Sequence, residues 1–550
     1  MLDEDSVIID EDQSSITSVE DNTEYPTDYD SSAASDSEPD NPASQVQGSI
    51  VKGKNGYTWS LVPPPTTRTA NINIIRIPHA RGTALNITTE EDAFKILLDQ
   101  SAINMIVIHT NTEIAKRREK FTSPQRYLCD TDSTEILSLI GLLYTAGSQK
   151  DGHLSTSEMW SPYGSQFYKC VMTENRFRFL LICLRFDNKD VRNTKDNFAP
   201  IRELWMNFID KCKSVYEPHA YVTIDEQLLA FRGRCPFKVY IAKKPDKYGI
   251  KIVTMCDART YYMIDAIPYI GKDPGKTSAD YYVNNLTKTI HGTGRNIICD
   301  NWFMSVPLVE EMAKDHNLTL VGTVRRNKRE IPTSFLADKQ KPVNTTQFGL
   351  SGQVMLTSFT PKKNKCVLIL STMHNQPDVN KDSQKPEVIE FYNSTKGGVD
   401  TFYKMVHAYS VSRGTRRWPL RMCYGMLDQA GVNAMVLFKK TVPLENMKRR
   451  QFLKELGLQL ARPHMERRLE TNLSKELKAT IKAILHIEDP QLPLNPPAKL
   501  AKQARCHLCP RCKDKKVKLC VQNAGNQLVV TIAKKSMMNV FKTKGKFITN

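Results

Sequence analysis

The run Ile297-Ile298-Cys299-Asp300-Asn301-Trp302-Phe303 constrains this chain more than any other stretch. Apolar residues lead into a single carboxylate, and a polar and aromatic break follows. That is the pattern of a buried strand delivering an acid to the end of a sheet. A second copy lies upstream, where Ile250-Lys251-Ile252-Val253-Thr254-Met255-Cys256 ends in Asp257. Two strands that present Asp at their carboxyl ends can form a hard-oxygen site, because Mg²⁺ prefers a few carboxylates together with waters and phosphate oxygens.

At 550 residues the chain exceeds what one core organises, so several domains are expected. Its formal charge of +18 is unevenly spread. Residues 1–51 hold 14 Asp/Glu and no Lys or Arg, so 77 basic residues face 45 acidic ones in the remainder. A folded body that basic suits a polyanion, most simply nucleic acid, although a solvated basic surface gives the same count. Nine of the 13 Cys are scattered singly between Cys129 and Cys423, as buried free thiols in a reducing compartment are. The acidic amino terminus shows no secretory signal. No window has the length of a membrane span, and the nearest, Met422–Phe438, carries Asp428, Gln429 and Asn433 and reads as a core helix.

Residues 1–50 are acidic, rich in Ser and Asp, and too poor in large apolar groups to fold, so they read as a disordered tail. Residues 51–85 turn basic and look irregular. Thr88-Thr89-Glu90-Glu91-Asp92 is a helix start, and helical periodicity then runs over 93–107, 135–146, 158–168, 174–184 and 201–216. After Pro218 strand patterns cover 221–226, 238–241, 250–257, 261–269, 296–300 and 318–324, with helices over 278–286 and 305–315. Strands and helices mixed in this way indicate an α/β domain with a central sheet. Residues 326–386 read as an insertion. Val388–Tyr392 reads as a short strand, Val399–Ala408 as a helix, and Trp418-Pro419 opens a long helix to about Lys440. Four Pro within 489–497 mark a linker.

Three acids from separate segments can hold two divalent ions. Asp257 and Asp300 are candidates by pattern, and Asp400, early in a helix, is a third. An Asp at a strand end is more often a turn former or helix cap. Asp225, Glu226 and Asp265 have similar local patterns, and spacing does not choose among these acids.

Longer strings are more specific. Thr223-Ile224-Asp225-Glu226-Gln227-Leu228-Leu229-Ala230-Phe231-Arg232-Gly233-Arg234-Cys235-Pro236-Phe237, Lys247-Tyr248-Gly249-Ile250-Lys251, Cys299-Asp300-Asn301-Trp302-Phe303, Gly322-Thr323-Val324-Arg325, Lys328-Arg329-Glu330-Ile331-Pro332, Thr395-Lys396-Gly397-Gly398-Val399-Asp400 and Arg417-Trp418-Pro419 occur in this order. Together they resemble the piggyBac transposase family over roughly residues 50–490. The resemblance implies an RNase H-like α/β catalytic core, a mixed sheet flanked by helices, inserted in a mostly helical dimerisation and DNA-binding domain. It implies a DDE/D triad on Asp257, Asp300 and Asp400, served by two Mg²⁺ ions with Mn²⁺ able to substitute. Members hydrolyse double-stranded DNA at transposon terminal repeats, form a hairpin and insert at TTAA targets. Arg325 and Lys328 fall where the family contacts target DNA, and Trp418 falls near the DNA end, although a solvated loop and a core anchor are the plain alternatives. A nuclear homodimer with no membrane association is implied.

The boundaries this suggests are a tail at 1–50, a basic region with the first helix at 51–105, and the helical domain at 106–250 and 410–488. The catalytic domain then takes 251–325 and 387–409, the insertion 326–386, a linker 489–505 and a Cys-rich tail 506–550. Two features depart from the family. Tyr403 stands where some members carry a further Asp, and a phenol is a poor Mg²⁺ ligand near neutral pH. The tail keeps only Cys506, Cys509, Cys512 and Cys520, half of a two-zinc cross-brace, so one Zn²⁺ at most is implied. These departures keep an alternative open, a transposon-derived DNA-binding protein without cleavage, and beside it a zinc-dependent nuclear scaffold. The basic cluster Lys499–Lys518 reads as an import signal.

Overall fold

The computed structural model describes residues 50–63, 76–242, 244, 246–273, 275–276, 278–442 and 447–488, together with the backbone of 499–505, 516–523 and 526–529. The expected disordered tail therefore lies outside the described residues, save for Ile50. The chain forms two compact units, 1–473 and 474–550.

The first unit opens with a hairpin, β1 (Ile50–Lys52) and β2 (Thr58–Ser60), where the sequence reads as irregular. Trp59 explains the order: its ring is fully buried and its indole N–H donates to the Glu330 carbonyl at 2.8 Å. After the short β3 (His79–Ala80) comes a helical region. Thr89 and Asp92 form the expected capping box at the start of α1 (Glu90–Leu97). The helical pattern across 93–107 is split, because Asp99 caps a second helix, α2 (Gln100–Arg118), by accepting from the Ala102 N–H at 3.0 Å. Next come α3 (Ser133–Gln149), α4 (Thr156–Met159), α5 (Gln166–Val171), α6 (Glu174–Cys183) and α7 (Arg202–Ser214). The expected helix over 158–168 is thus two short pieces, separated where the Ser161–Gly164 turn folds back on α4.

The sheet follows. After β4 (Tyr216–Glu217), which pairs with β3, its strands are β5 (Tyr221–Ala230), β6 (Val239–Tyr240), β7 (Tyr248–Asp257) and β8 (Met263–Pro268). Helix α8 (Ala279–Thr287) leads to β9 (Asn296–Cys299), and α9 (Val306–Asp315) to β10 (Thr319–Thr323). Strands β11 (Thr346–Ser351), β12 (Val354–Lys362) and β13 (Lys365–Ser371) extend the same sheet from within the 326–386 segment. The order is β1-β2-β11-β12-β13-β10-β9-β5-β7-β6, with β8 also on β7. Only β9 with β10 and β5 with β9 are parallel. Both of those links are long enough to carry a crossover helix, as parallel strands require. The result is a mixed sheet, open rather than closed into a barrel, flanked by helices.

Four more helices complete the first unit. Val388–Tyr392 is helical rather than extended, inside α10 (Glu387–Thr395). Its buried residues Val388, Ile389 and Tyr392 stand at spacing i, i+1, i+4, one face of a helix, and Pro386 precedes the first turn as helices tolerate. Next, α11 (Gly398–Ala408) lies against β5, and α12 (Trp418–Thr441) is the core helix expected from its pattern. Two of its buried polar residues are satisfied, Asp428 accepting from Ser410 and from the Val411 N–H and Asn433 bonding both backbone groups of Met263, whereas Arg421 Nη1 and Gln429 Oε1 have no hydrogen-bond partner. Finally α13 (Arg449–Leu469) packs on α3 so closely that Gly141 and Gly457 meet backbone to backbone.

The second unit contains α14 (Lys475–Leu485), capped by Ser474, and the antiparallel strands β14 (Lys499–Arg505), β15 (Lys516–Asn523) and β16 (Asn526–Val529). Cys506, Cys509 and Cys512 lie outside the described residues. Cys520 sits on β15 opposite Val529. Among the described residues no helix is long and apolar enough to cross a membrane.

Gly398 sets how near α11 comes to β5: a Cβ there would stand 2.3 Å from the Thr223 Oγ1. Gly398→Ala is expected to cost about 1–3 kcal/mol through overpacking. Chemical denaturation should show that loss, and adding Thr223→Ala should return much of it.

Candidate active site

Asp225 and Asp300 are brought together by the parallel pairing of β5 and β9. Ile224 is in register with Cys299, so the next residue on each strand is one of the two acids. Asp400 arrives on the third position of α11, whose first residue rests on Thr223. Side chains alternate along a strand, so Thr223 and Asp225 share the face that α11 covers. Glu226 follows Asp225 directly. Asp225, Glu226 and Asp300 are half-buried and Asp400 is exposed, which describes a cleft open on one side.

The charges act on one another. Burial holds the Asp225 carboxyl well above the usual carboxylate range, and the nearby Glu226, Asp300 and Asp400 push it further, with Lys244 opposing. Asp300 is raised for the same reasons, burial first and Glu226 second. The Trp302 N–H, donating to Asp300 at 2.9 Å, and the Arg325 guanidinium pull it the other way. Cations surround the acids. The Lys251 ammonium lies 3.9 Å from Glu226 and 4.4 Å from the centre of the Trp302 ring, and Lys244 donates to the Glu226 carbonyl at 3.3 Å.

Asp257 stands elsewhere. Strand β7 runs antiparallel to β5, so its carboxyl end lies at the opposite end of the sheet from that of β9. Asp257 is in register with Val222, which is in turn in register with Ile297. That places it three residues, about 10 Å, below the level of Asp300. It also shares a face with Val222, the reverse of the Asp225 face. Its fully buried carboxylate accepts from the backbone N–H groups of His219 at 2.6 Å and of Arg259 and Thr260 at 2.9 Å each. It therefore holds the β7–β8 turn, and the expected grouping of Asp257 with Asp300 and Asp400 is corrected by the register. Asp265 pairs with Lys213 at 3.0 Å on the face away from Asp225.

The remaining candidates divide. Arg325 is exposed beside the acids, its Nε 3.4 Å from the Asn301 side chain, and Lys328 closes the turn that Arg325 begins. Trp418 is packed within the protein: it stacks on Phe198 at 5.9 Å and meets Phe237 edge-on at 5.0 Å. Tyr403 donates its hydroxyl to the Leu228 carbonyl at 2.9 Å, a packing role between α11 and β5.

Among the described residues no three His, Cys, Asp or Glu side chains stand close enough to enclose an ion as placed. The chemistry of the donor set nevertheless fits a hard divalent cation. Several carboxylates share one cleft, and burial together with mutual repulsion disfavours their charged forms.

Asp225 shares the strand-and-acid pattern with Asp257, but its strand runs on to Ala230, and the local pattern alone does not choose between the two. The usable signal is connectivity. Strands β5 and β7 are joined by a short excursion and run antiparallel, whereas β5 and β9 are separated by a long connection containing a helix and run parallel.

Comparisons with known proteins bear on the family. Residues 89–435 match the family model described as Transposase IS4. The chain is 23% identical over 379 residues to the human PiggyBac transposable element-derived protein 3, a match covering 64% of this chain and 61% of that one. It is equally similar to the human Chimeric ERCC6-PGBD3 protein, of which the match spans 34%. The chain thus spans about three fifths or less of the length of these relatives. A cryo-EM structure of a piggyBac transposase synaptic complex with hairpin DNA superposes with a TM-score of 0.72 at 36% identity, over 82% of this chain and 98% of that one. With the family model spanning more than half of its length and this likeness beside it, the chain belongs to the piggyBac family of DDE/D transposases.

Proposed function

We propose that the protein is a cut-and-paste DNA transposase whose three reacting carboxylates are Asp225, Asp300 and Asp400. The observation that carries this reading is the β5–β9 register, which sets two acids side by side with a third on the helix above them. The mixed sheet with acids at its carboxyl edge supports an RNase H-like core. The solved relative's complex with hairpin DNA supports the hairpin route. Its description as a synaptic complex supports action on transposon ends, and the motif resemblance adds a homodimer, TTAA targets and a nuclear site of action to this reading. Within the first unit we read the helices of 106–214 and 418–469 as one domain, joined by the α3–α13 contact, and we give β5, β6 and the start of β7, which the expected 106–250 boundary placed with those helices, to the catalytic sheet.

Asp225, Asp300 and Asp400 would hold two Mg²⁺ ions, with Mn²⁺ able to substitute, which supply activation of the attacking oxygen and charge relief at the leaving one. Water adds to the phosphorus at the transposon end, and the 3′ oxygen leaves as a hydroxyl. That hydroxyl attacks the opposite strand, closing a hairpin and displacing that strand's 3′ oxygen. Arg325, Lys328 and the cations around Glu226 draw the phosphate backbone toward a cleft that its acids alone would repel. Trp418 keeps to its packing role, and a zinc held by the four tail cysteines would serve the DNA ends and not the chemistry.

Asp225→Asn, Asp300→Asn and Asp400→Asn are each expected to reduce nicking of a terminal-repeat duplex to background while leaving the fold intact. Asp257→Asn should instead lose about 1–3 kcal/mol of stability, because the amide keeps one accepting oxygen and turns an NH₂ donor toward the buried N–H on the other side, and should still nick. Nicking that survives Asp225→Asn but not Asp257→Asn overturns the assignment. DNA bound by the unaltered protein but uncut with Mg²⁺ and Mn²⁺ leaves the non-cleaving reading.

A second expectation concerns pH. Asp225 has its folded carboxyl pushed up to about 8, above the ordinary value of 3.8. In cation-free buffer the stability this protonated group contributes is present below the ordinary value and is lost as pH rises toward about 8. Thermal melts should show Tm falling over that window, a shallower fall in Asp225→Asn, and recovery on adding Mg²⁺ to the unaltered protein. A flat Tm that ignores Mg²⁺ removes the acidic cluster as a cation site.

A further inference from the structure

A second cleft, of about 670 Å³, opens at the carboxyl ends of β5 and α11, away from the acids. Four cations line it, Lys150, Arg232, Arg413 and Arg421, with the imidazoles of His153 and His407 beside them, against the single acid Asp246. Arg421 is the unusual member. It is 8% exposed, its Nε donates to the Ala230 carbonyl at 2.9 Å, and its buried Nη1 has no hydrogen-bond partner. A buried guanidinium with an unused donor carries a desolvation cost that only a further acceptor relieves.

The surroundings do not supply that acceptor. Asp428, two turns along α12, is already engaged by Ser410 and Val411. Asp246 lies across the cleft without reaching Nη1. Arg413 is held by the carbonyls of Asp151, Gly152 and Leu154, so its charge is fixed in place. Lys150 is exposed at the rim, in a left-handed conformation (φ 62°) just past α3.

We propose that this cleft seats one phosphate of the DNA chain, with Arg421 Nη1 as the buried donor and Lys150 as the outer charge. The inference rests on the transposase reading and adds a contact to it. The cleft adjoins the reacting acids on shared elements. Five residues of β5 separate Asp225 from Ala230, about 17 Å of strand, and seven residues of α11 separate Asp400 from His407, about 11 Å of helix. At about 3.4 Å of rise per nucleotide, a phosphate in the cleft lies roughly three to five nucleotides from the one being cut. A guanidinium fork suits a phosphate's paired oxygens, and a site this deep fixes the strand's path where surface lysines only attract it.

The test measures binding of a fluorescent DNA duplex with a single-stranded 3′ tail to the full chain, without divalent cations, across about 50 to 200 mM KCl. Arg421→Gln and Lys150→Asn are compared with the unaltered protein. The asparagine suits the left-handed position, and the lysine is exposed, so Lys150→Asn keeps the experiment informative even where Arg421→Gln unfolds. Each variant should weaken binding and make the slope of log affinity against log salt shallower by about 0.7–0.9, the loss of one phosphate. Slopes parallel to the unaltered protein's overturn the cleft as a DNA contact and leave the transposase reading standing. A thermal shift with inorganic phosphate that Arg421→Gln abolishes, alongside parallel DNA slopes, assigns a free-anion site and overturns the inference. An unaltered protein that fails to bind the duplex at any salt removes both.

Discussion

The pairing of β5 with β9 is the interaction on which the site depends. Two parallel strands bring two carboxylates to one level, and the price is mutual repulsion in a partly desolvated cleft. Nothing within the sheet cancels it. The nearest cations, Lys244 and Lys251, are directed at Glu226, and Arg325 reaches only Asp300. The hydrogen bonds that do form, such as the Trp302 N–H to Asp300, orient the acids without neutralising them. A cluster held in this unresolved state is suited to bind positive charge and poorly suited to any purely structural role.

The helices are arranged around that cluster by close backbone approaches. Gly398 lets α11 sit on Thr223, Gly425 of α12 faces Leu229 of the same strand, and α12 carries Trp418 at one end and the buried Asp428 and Asn433 in its middle. One strand therefore receives the acid-bearing helix from Thr223 to Leu228 and the long core helix at Leu229. Arg421 is caught between the end of that strand and α12, which is why its guanidinium is buried and yet borders open space.

Much of this was legible in the residues, for identifiable reasons. Strong periodicities marked β5, β7, β9, α9 and α12, and Thr89 with Asp92 announced α1. The long motifs identified the family because their composition is too unusual to arise from packing alone. What failed was geometry that depends on pairing. Asp257 and Asp300 end similar strands, but the local pattern carries no direction, and β7 runs the other way. Val388–Tyr392 misleads because a short apolar run satisfies both a strand and one helical face. Residues 50–60 carry little periodicity, and their order comes from one tryptophan finding a distant carbonyl.

The meeting of α3 with α13 has a kinetic side. Gly141 touches Gly457 across more than three hundred residues, and all of the sheet except the β1–β2 hairpin is made in between. On a ribosome the early helices wait, with Gly141 and Thr145 lacking their cover from α13 and Ile136, Leu139 and Leu143 theirs from α12, until nearly the last of the compact body has emerged. A nascent chain of this topology offers a sticky helical surface for most of its synthesis. Its yield in a cell then hinges on chaperone shielding during translation as much as on the stability of the finished molecule.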